Sequence, residues 1–169
     1  MLQTARNTSG NNLRIAHILL DMALIEQSTL LEAPAEAVWA AVKTPAAFRT
    51  VTRRLLAMPV IRGRHDQWRS GETVVGWVFL FGFLPFSRHH LHIERIDEST
   101  FTLSSHEFGG LIKTWNHDIE VTPIDATTCR YRDQIEIDAG PLTPVIALYA
   151  QWFYRMRQRR WRTLASGLI

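Results

Sequence analysis

Apolar side chains recur every three or four positions near the end of the chain: Val145, Leu148, Tyr149, Trp152, Phe153 and Met156, then Arg160 and Leu164. That spacing puts them on one face of a helix, and Pro144 stands where a first helical turn accepts a proline because no intrahelical N–H bond is lost there. The pattern predicts a helix from Leu142 to Leu164, closed by Gly167, of about 24 residues and roughly 36 Å. A ring-rich face of that length needs a large partner surface.

The partner is predicted in the segments before it, where polar and apolar positions alternate with a period of two. Strands are expected at Leu24 to Glu32, Met58 to Arg64, Glu72 to Leu84, Ser87 to Asp97, Thr100 to Phe108, Lys113 to Ile124 and Thr127 to Asp138. Between the first two, Ala35 to Val42 reads as a helix that stops before Thr44-Pro45, since a residue preceding proline avoids helical angles, and Pro45 to Thr52 as a second short helix. Short turns such as Asp97-Glu98-Ser99 and Gly109-Gly110 make neighbouring strands antiparallel. The fold class is α+β: a curved antiparallel sheet of about seven strands around a long C-terminal helix, with two short helices after the first strand. Residues 1–22 are expected to be a flexible N-terminal extension, with Met22 an alternative start, and 23–169 the domain.

Alternation also assigns faces. Trp115, Ile119 and Val121 carry His117 inward; Tyr131, Ile135 and Ile137 carry Asp133; Leu91 and Ile93 carry His89. Phe101 and Leu103 carry Ser105 and Glu107, provided the Gly109-Gly110 turn contains a bulge or a three-residue loop. Four ionisable groups in an apolar interior imply a cavity with some polar content or a satisfied buried pair of His117 and Asp133. In the stretch from Gly76 to Phe86, strict alternation puts Trp77, Phe79, Phe81 and Phe83 on one inward face.

Charge adds one feature. The formal net charge is +3, with Arg155, Arg157, Arg159, Arg160 and Arg162 close together in the last helix. Cations favour a helix C-terminus and their stems cover apolar surface, which explains the ridge without nucleic acid; an interaction module on it would show salt-sensitive binding to anionic lipid or nucleic acid that vanishes on charge reversal. One cysteine, Cys129, allows no internal disulfide, leaves the cytoplasm as the default location, and reads as a small core residue. His90 and His92 share a face opposite Leu91 and Ile93, which leaves a metal site without support, and His17, His65 and His106 have no evident partner. Nucleophile-elbow and phosphate-binding motifs do not occur, and no cofactor is expected.

The element order, with Ala33-Pro34-Ala35-Glu36-Ala37-Val38-Trp39 between first strand and first helix, resembles the START-like helix-grip (SRPBCC) superfamily of polyketide cyclases, lipid-transfer domains and pollen-allergen-like proteins. The resemblance covers about residues 24–166. It implies a cavity between sheet and helix for an apolar or amphipathic, lipid- or polyketide-like molecule, and does not choose between carrier and enzyme. The expected ligand-binding set is His89, Glu107, Trp115, His117, Tyr131, Asp133, Phe81, Phe83, Trp152 and Met156. The alternative is a cyclase- or dehydratase-type enzyme with His117 and Asp133 as an acid–base pair. The expected partner is an apolar small molecule rather than nucleic acid, a transient membrane-surface contact stays open, and the oligomeric state is not fixed.

Overall fold

The computed structural model describes residues 22–168. Seven strands form one antiparallel sheet: β1 (Met22–Leu31), β2 (Leu56–Ala57), β3 (Thr73–Leu80), β4 (Leu84–Asp97), β5 (Thr102–Gly109), β6 (Ile112–Pro123) and β7 (Cys129–Asp138), in the order β1-β7-β6-β5-β4-β3-β2. The helices are α1 (Ala35–Val42), α2 (Pro45–Thr52) and α3 (Thr143–Ala165). The sheet curls around α3, the helix-grip arrangement. Of the expected extension 1–22, only Met22 is among the described residues, and it opens β1.

Local chemistry accounts for the element ends. Thr44 caps α2, its Oγ1 accepting from the Ala47 N–H at 3.1 Å, and Pro45 occupies the first turn. At the β5–β6 hairpin, Gly109 (φ 153°) and Gly110 (φ 60°) take positive angles, and the register shifts between Glu107 and Gly109. That is the irregularity needed to keep Glu107 on the inner face. A Cβ on Gly109 would lie 2.3 Å from the Arg88 carbonyl oxygen, so the hairpin can approach β4 only with glycine there.

Three expectations are corrected. Met58 to Arg64 is not a strand: β2 is two residues, and Pro59, which has no N–H to offer a ladder, opens a 3-10 turn over Pro59–Ile61. In β3 the inner set is Val74, Val78 and Leu80 with Gly76, while Trp77 is 54% exposed on the other face. A register shift between Val78 and Phe79 and a turn over residues 81–83 break the alternation that joined Trp77 to Phe83. On α3 the buried side chains are Thr143, Ala150, Phe153, Tyr154, Arg157, Gln158, Trp161 and Ala165, one face at three- and four-residue spacing. The inward stripe is therefore turned away from the expected one: Val145 is 68% and Leu148 70% exposed. Arg157 and Gln158 interrupt the true stripe with polar side chains, which made the neighbouring apolar stripe look like the core.

Two apolar clusters result. One joins α1 and α2 to β4–β7 around Trp161 and Tyr131, whose rings lie 4.9 Å apart; the other joins Ile25, Ile135 and Ile137 to Phe153 and Tyr154. Each fully buried large side chain contributes about 1.5–3 kcal/mol.

Candidate functional site

Between the inner face of the sheet and α3 lies a cavity of about 320 Å³. Its walls are mostly apolar, with Leu80, Phe86, Leu91, Ile112, Ile146 and Phe153 among them, and its polar lining comes from His89, Glu107, His117, Tyr149, Tyr154 and Arg157. The alternation of β4, β5 and β6 delivers the first three and the 3.6-residue period of α3 the last three.

The polar wall is built around Asp133. This carboxylate has no exposed surface; its Oδ1 accepts from His117 Nε2 at 2.9 Å and from the Tyr131 hydroxyl at 2.9 Å, and forms an ion pair with Arg157 Nη1 at 3.2 Å. Gln158 Nε2 donates to Oδ2 at 3.4 Å. Burial would raise the Asp133 carboxyl, but Arg157, with His117 and Tyr131 behind it, holds it below the usual carboxylate range. Arg157 loses by burial and gains more from Asp133, so its guanidinium stays charged. An ionised carboxylate 2.9 Å from His117 Nε2 favours a proton on that nitrogen, and Nδ1 takes no part in the pair. Arg157 Nη1 also lies 3.3 Å from His117 Nε2, so carboxylate, imidazole and guanidinium meet at one point.

A second pair stands beside the first. His89 Nε2 lies 3.3 Å from Glu107 Oε2, and Ser105 Oγ donates to Oε1 at 3.3 Å. Burial works to raise the Glu107 carboxyl, and the His89 hydrogen bond, then the charges of His89 and His117, bring it below its ordinary value. The Tyr154 ring packs 5.1 Å from His117 and 5.4 Å from the Arg157 guanidinium, while its hydroxyl oxygen accepts from Trp115 Nε1 at 3.3 Å. Burial pushes that hydroxyl far up, so it stays protonated. Two buried polar atoms of this wall, Arg157 Nε and His89 Nδ1, have no hydrogen-bond partner among the described residues.

Of the residues expected from sequence, Phe81, His89, Glu107, Trp115 and His117 line the cavity. Asp133 and Tyr131 share their inner face but stop behind His117 and Arg157, whose positions they hold. Phe83 is 76% exposed on the turn after β3, and Trp152 is 41% exposed at the rim, its ring 6.2 Å from that of Phe81. Met156 is half-buried against the cluster around Ile135. Arg157 and Tyr154 were not anticipated. Arg157 is 4% exposed and so not part of a surface ridge, unlike Arg155, Arg159 and Arg162. The available signal was the spacing 150, 153, 154, 157, 161, which puts Arg157 on a helix face with three large rings, opposite a strand carrying a buried carboxylate.

Three further histidines stand on the outer face, and His65 is exposed in the loop before β3. His90 stacks on Phe108 at 4.6 Å, His92 Nδ1 lies 2.9 Å from Thr73 Oγ1, and His106, expected to lack a partner, has Nδ1 2.6 Å from Asn116 Oδ1. His17 lies outside the described residues. Among the described residues, no group of three His, Cys, Asp or Glu side chains could hold a metal ion, and no helix is long and apolar enough to cross a membrane.

A curled seven-stranded sheet gripping a long C-terminal helix, with a cavity between, defines the START/Bet v1-like SRPBCC fold. The chain belongs to the family described as "Domain of unknown function (DUF8410)", whose model matches residues 13–165. No curated protein matches its sequence. Among solved structures, norcoclaurine synthase from Thalictrum flavum in complex with dopamine and hydroxybenzaldehyde is similar with a TM-score of 0.63 and 13% identity, over 99% of this chain and 96% of that one. A START superfamily protein from Mycobacterium smegmatis gives 0.65 and 10%, over 86% and 99%. A protein from Chromobacterium violaceum gives 0.63 and 16%, over 84% and 96%.

Proposed function

We propose that the protein binds an amphipathic small molecule in this cavity, its apolar body against Leu80, Phe86, Leu91 and Ile146 and its polar group at His117, Arg157 and Glu107. One observation carries the reading: a largely apolar cavity of about 320 Å³ ends on a charged cluster in which Arg157 Nε and His89 Nδ1 are buried without a partner among the described residues. The volume is near the lower end of the range for small-molecule sites, and leaving such groups unpaired costs about 1–3 kcal/mol each, which a ligand or ordered water can offset. The norcoclaurine synthase structure holds dopamine and hydroxybenzaldehyde, small molecules of this amphipathic kind, and supports the use of such a cavity.

A second reading, a cyclase- or dehydratase-type enzyme, rests on the free Nδ1 of His117. With Asp133 fixing the tautomer, Nδ1 would take a proton from a substrate C–H or O–H; Arg157 would stabilise the negative charge left on the substrate oxygen, and the imidazolium would return the proton later. Native mass spectrometry of freshly purified protein beside the denatured chain tests binding. Excess mass that disappears on unfolding is expected; a clean apo mass, with no thermal shift across fatty acids, sterols and aromatic polyketides, overturns the reading. His117→Ala separates the roles: weaker binding marks an anchor, lost turnover at near-normal affinity marks a base, and a lowered Tm alone marks a structural group.

A further inference from the structure

The rim of the cavity carries more exposed apolar surface than a soluble domain needs. Val145, Leu148 and Trp152 form an exposed stripe on the first half of α3, at 68%, 70% and 41%. The turn after β3 adds Phe81 at 43% and Phe83 at 76%, and the Phe81–Trp152 ring distance of 6.2 Å joins turn and stripe into one patch. Contiguous exposed rings of this kind mark a contact surface rather than scattered exposure.

The charge around the patch has one sign. Phe81 and Phe83 share a recess of about 370 Å³ with Arg49, Arg53, Arg54 and Arg62. Arg160 stands close by, donating to the carbonyl oxygens of Val51 and Arg53. The three stretches that supply the rim, residues 37–65, 73–93 and 139–169, contain none of the chain's 16 Asp and Glu and twelve of its 19 Lys and Arg; Lys43 and Arg64 pair with Glu98, Asp66 and Glu72 from outside them, and Arg157 is buried on Asp133. A net charge of +3 for the whole chain thus hides a strongly cationic end.

We propose that this end docks on an anionic lipid bilayer, with Phe83, Leu148 and Trp152 entering the interface, the arginines meeting headgroup phosphates, and the cavity mouth facing the membrane. Exposed rings beside guanidinium groups suit that boundary, where aromatic side chains sit at headgroup level and each nearby cation adds to the attraction. A protein partner of opposite charge would match the arginines, but the protruding Phe83 and Leu148 fit a deformable apolar phase. The inference does not depend on which molecule the cavity holds.

The test is flotation with extruded phosphatidylcholine vesicles, alone or with 30% phosphatidylglycerol, in 50 mM and 500 mM NaCl. Binding at least tenfold stronger to the anionic vesicles at low salt is expected, falling toward the neutral-vesicle level at high salt. Phe83→Glu and Leu148→Glu should each weaken it about tenfold, and Arg54→Gln several-fold. Leu30→Glu, on the outer face of β1, should change nothing, and all four variants should keep the wild-type Tm. Equal binding to both vesicles at 50 mM salt, or full binding by both glutamate variants, overturns the proposal. So does a dimer in solution that Phe83→Glu or Leu148→Glu dissociates while no vesicle binding is seen, since a second copy of the chain would then own the patch.

Discussion

Replacing Asp133 by Asn tests the ion-paired wall directly. The carboxylate is fully buried, accepts from His117, Tyr131 and Gln158 and is ion-paired with Arg157, so the change removes a charge while keeping shape. Arg157, 4% exposed, is left without its counter-ion. Stranding one member of a buried pair costs about 3–5 kcal/mol; the four lost interactions are not summed separately, because groups in one network are not additive. At roughly 2–4 °C per kcal/mol for a domain of this size, Tm should fall by about 6–20 °C. Removing both charges, in Asp133→Asn with Arg157→Met, should recover most of the loss, since a buried pair contributes little net stability over an apolar replacement. Urea unfolding followed by tryptophan fluorescence at pH 7.5 gives all three values. A cost below about 1 kcal/mol for the single change, or a double variant as unstable as the sum of the singles, would refute the reasoning.

The same carboxylates set an acid limit. Asp133 and Glu107 are held below their ordinary values of 3.8 and 4.5 in the folded chain, so the unfolded chain binds more protons in the acid range. Their contribution is complete above those ordinary values and is lost as pH falls below them toward the depressed ones; the urea midpoint should drop there, and Asp133→Asn should flatten the drop. Leu80→Trp places a ring in the cavity, and native mass spectra should then lose any bound ligand while Tm stays within a few degrees; retained ligand would move the site elsewhere. Cys129 is fully buried and its thiol is pushed up to about 11, so a thiol reagent should modify it only on unfolding, and fast labelling of the folded chain would contradict the packing of β7.

The sheet was legible where one face is buried and the other wet. In β7 the inward residues 129, 131, 133, 135 and 137 alternate without a break, so Asp133 could be placed from its apolar companions. Legibility failed where that contrast fails. In β3 the inner face carries Gly76 and the outer face Trp77, so residue size pointed the wrong way. On α3 the true stripe holds Arg157 and Gln158, which bury only because Asp133 waits on β7. A polar residue whose burial is decided by a partner 24 positions earlier leaves little local trace. The exposed apolar side chains at the rim compound this, since hydrophobicity alone would have placed Val145 and Leu148 inside.

The Asp133 cluster also has a mechanical consequence. Arg157 and Gln158, neighbours on α3, both grip one carboxylate on β7, and Trp161 lies against Tyr131 one turn further on. The second half of α3 is therefore clamped to the sheet at a point where sliding by even one residue would strand a charge. Its first half bears Val145 and Leu148 bare on one side and is held on the other by apolar packing, with Ala150 against the cluster of Ile25 and Ile135. The cavity is thus most firmly braced at its Arg157 end, where Asp133 acts as a fixed post between sheet and helix.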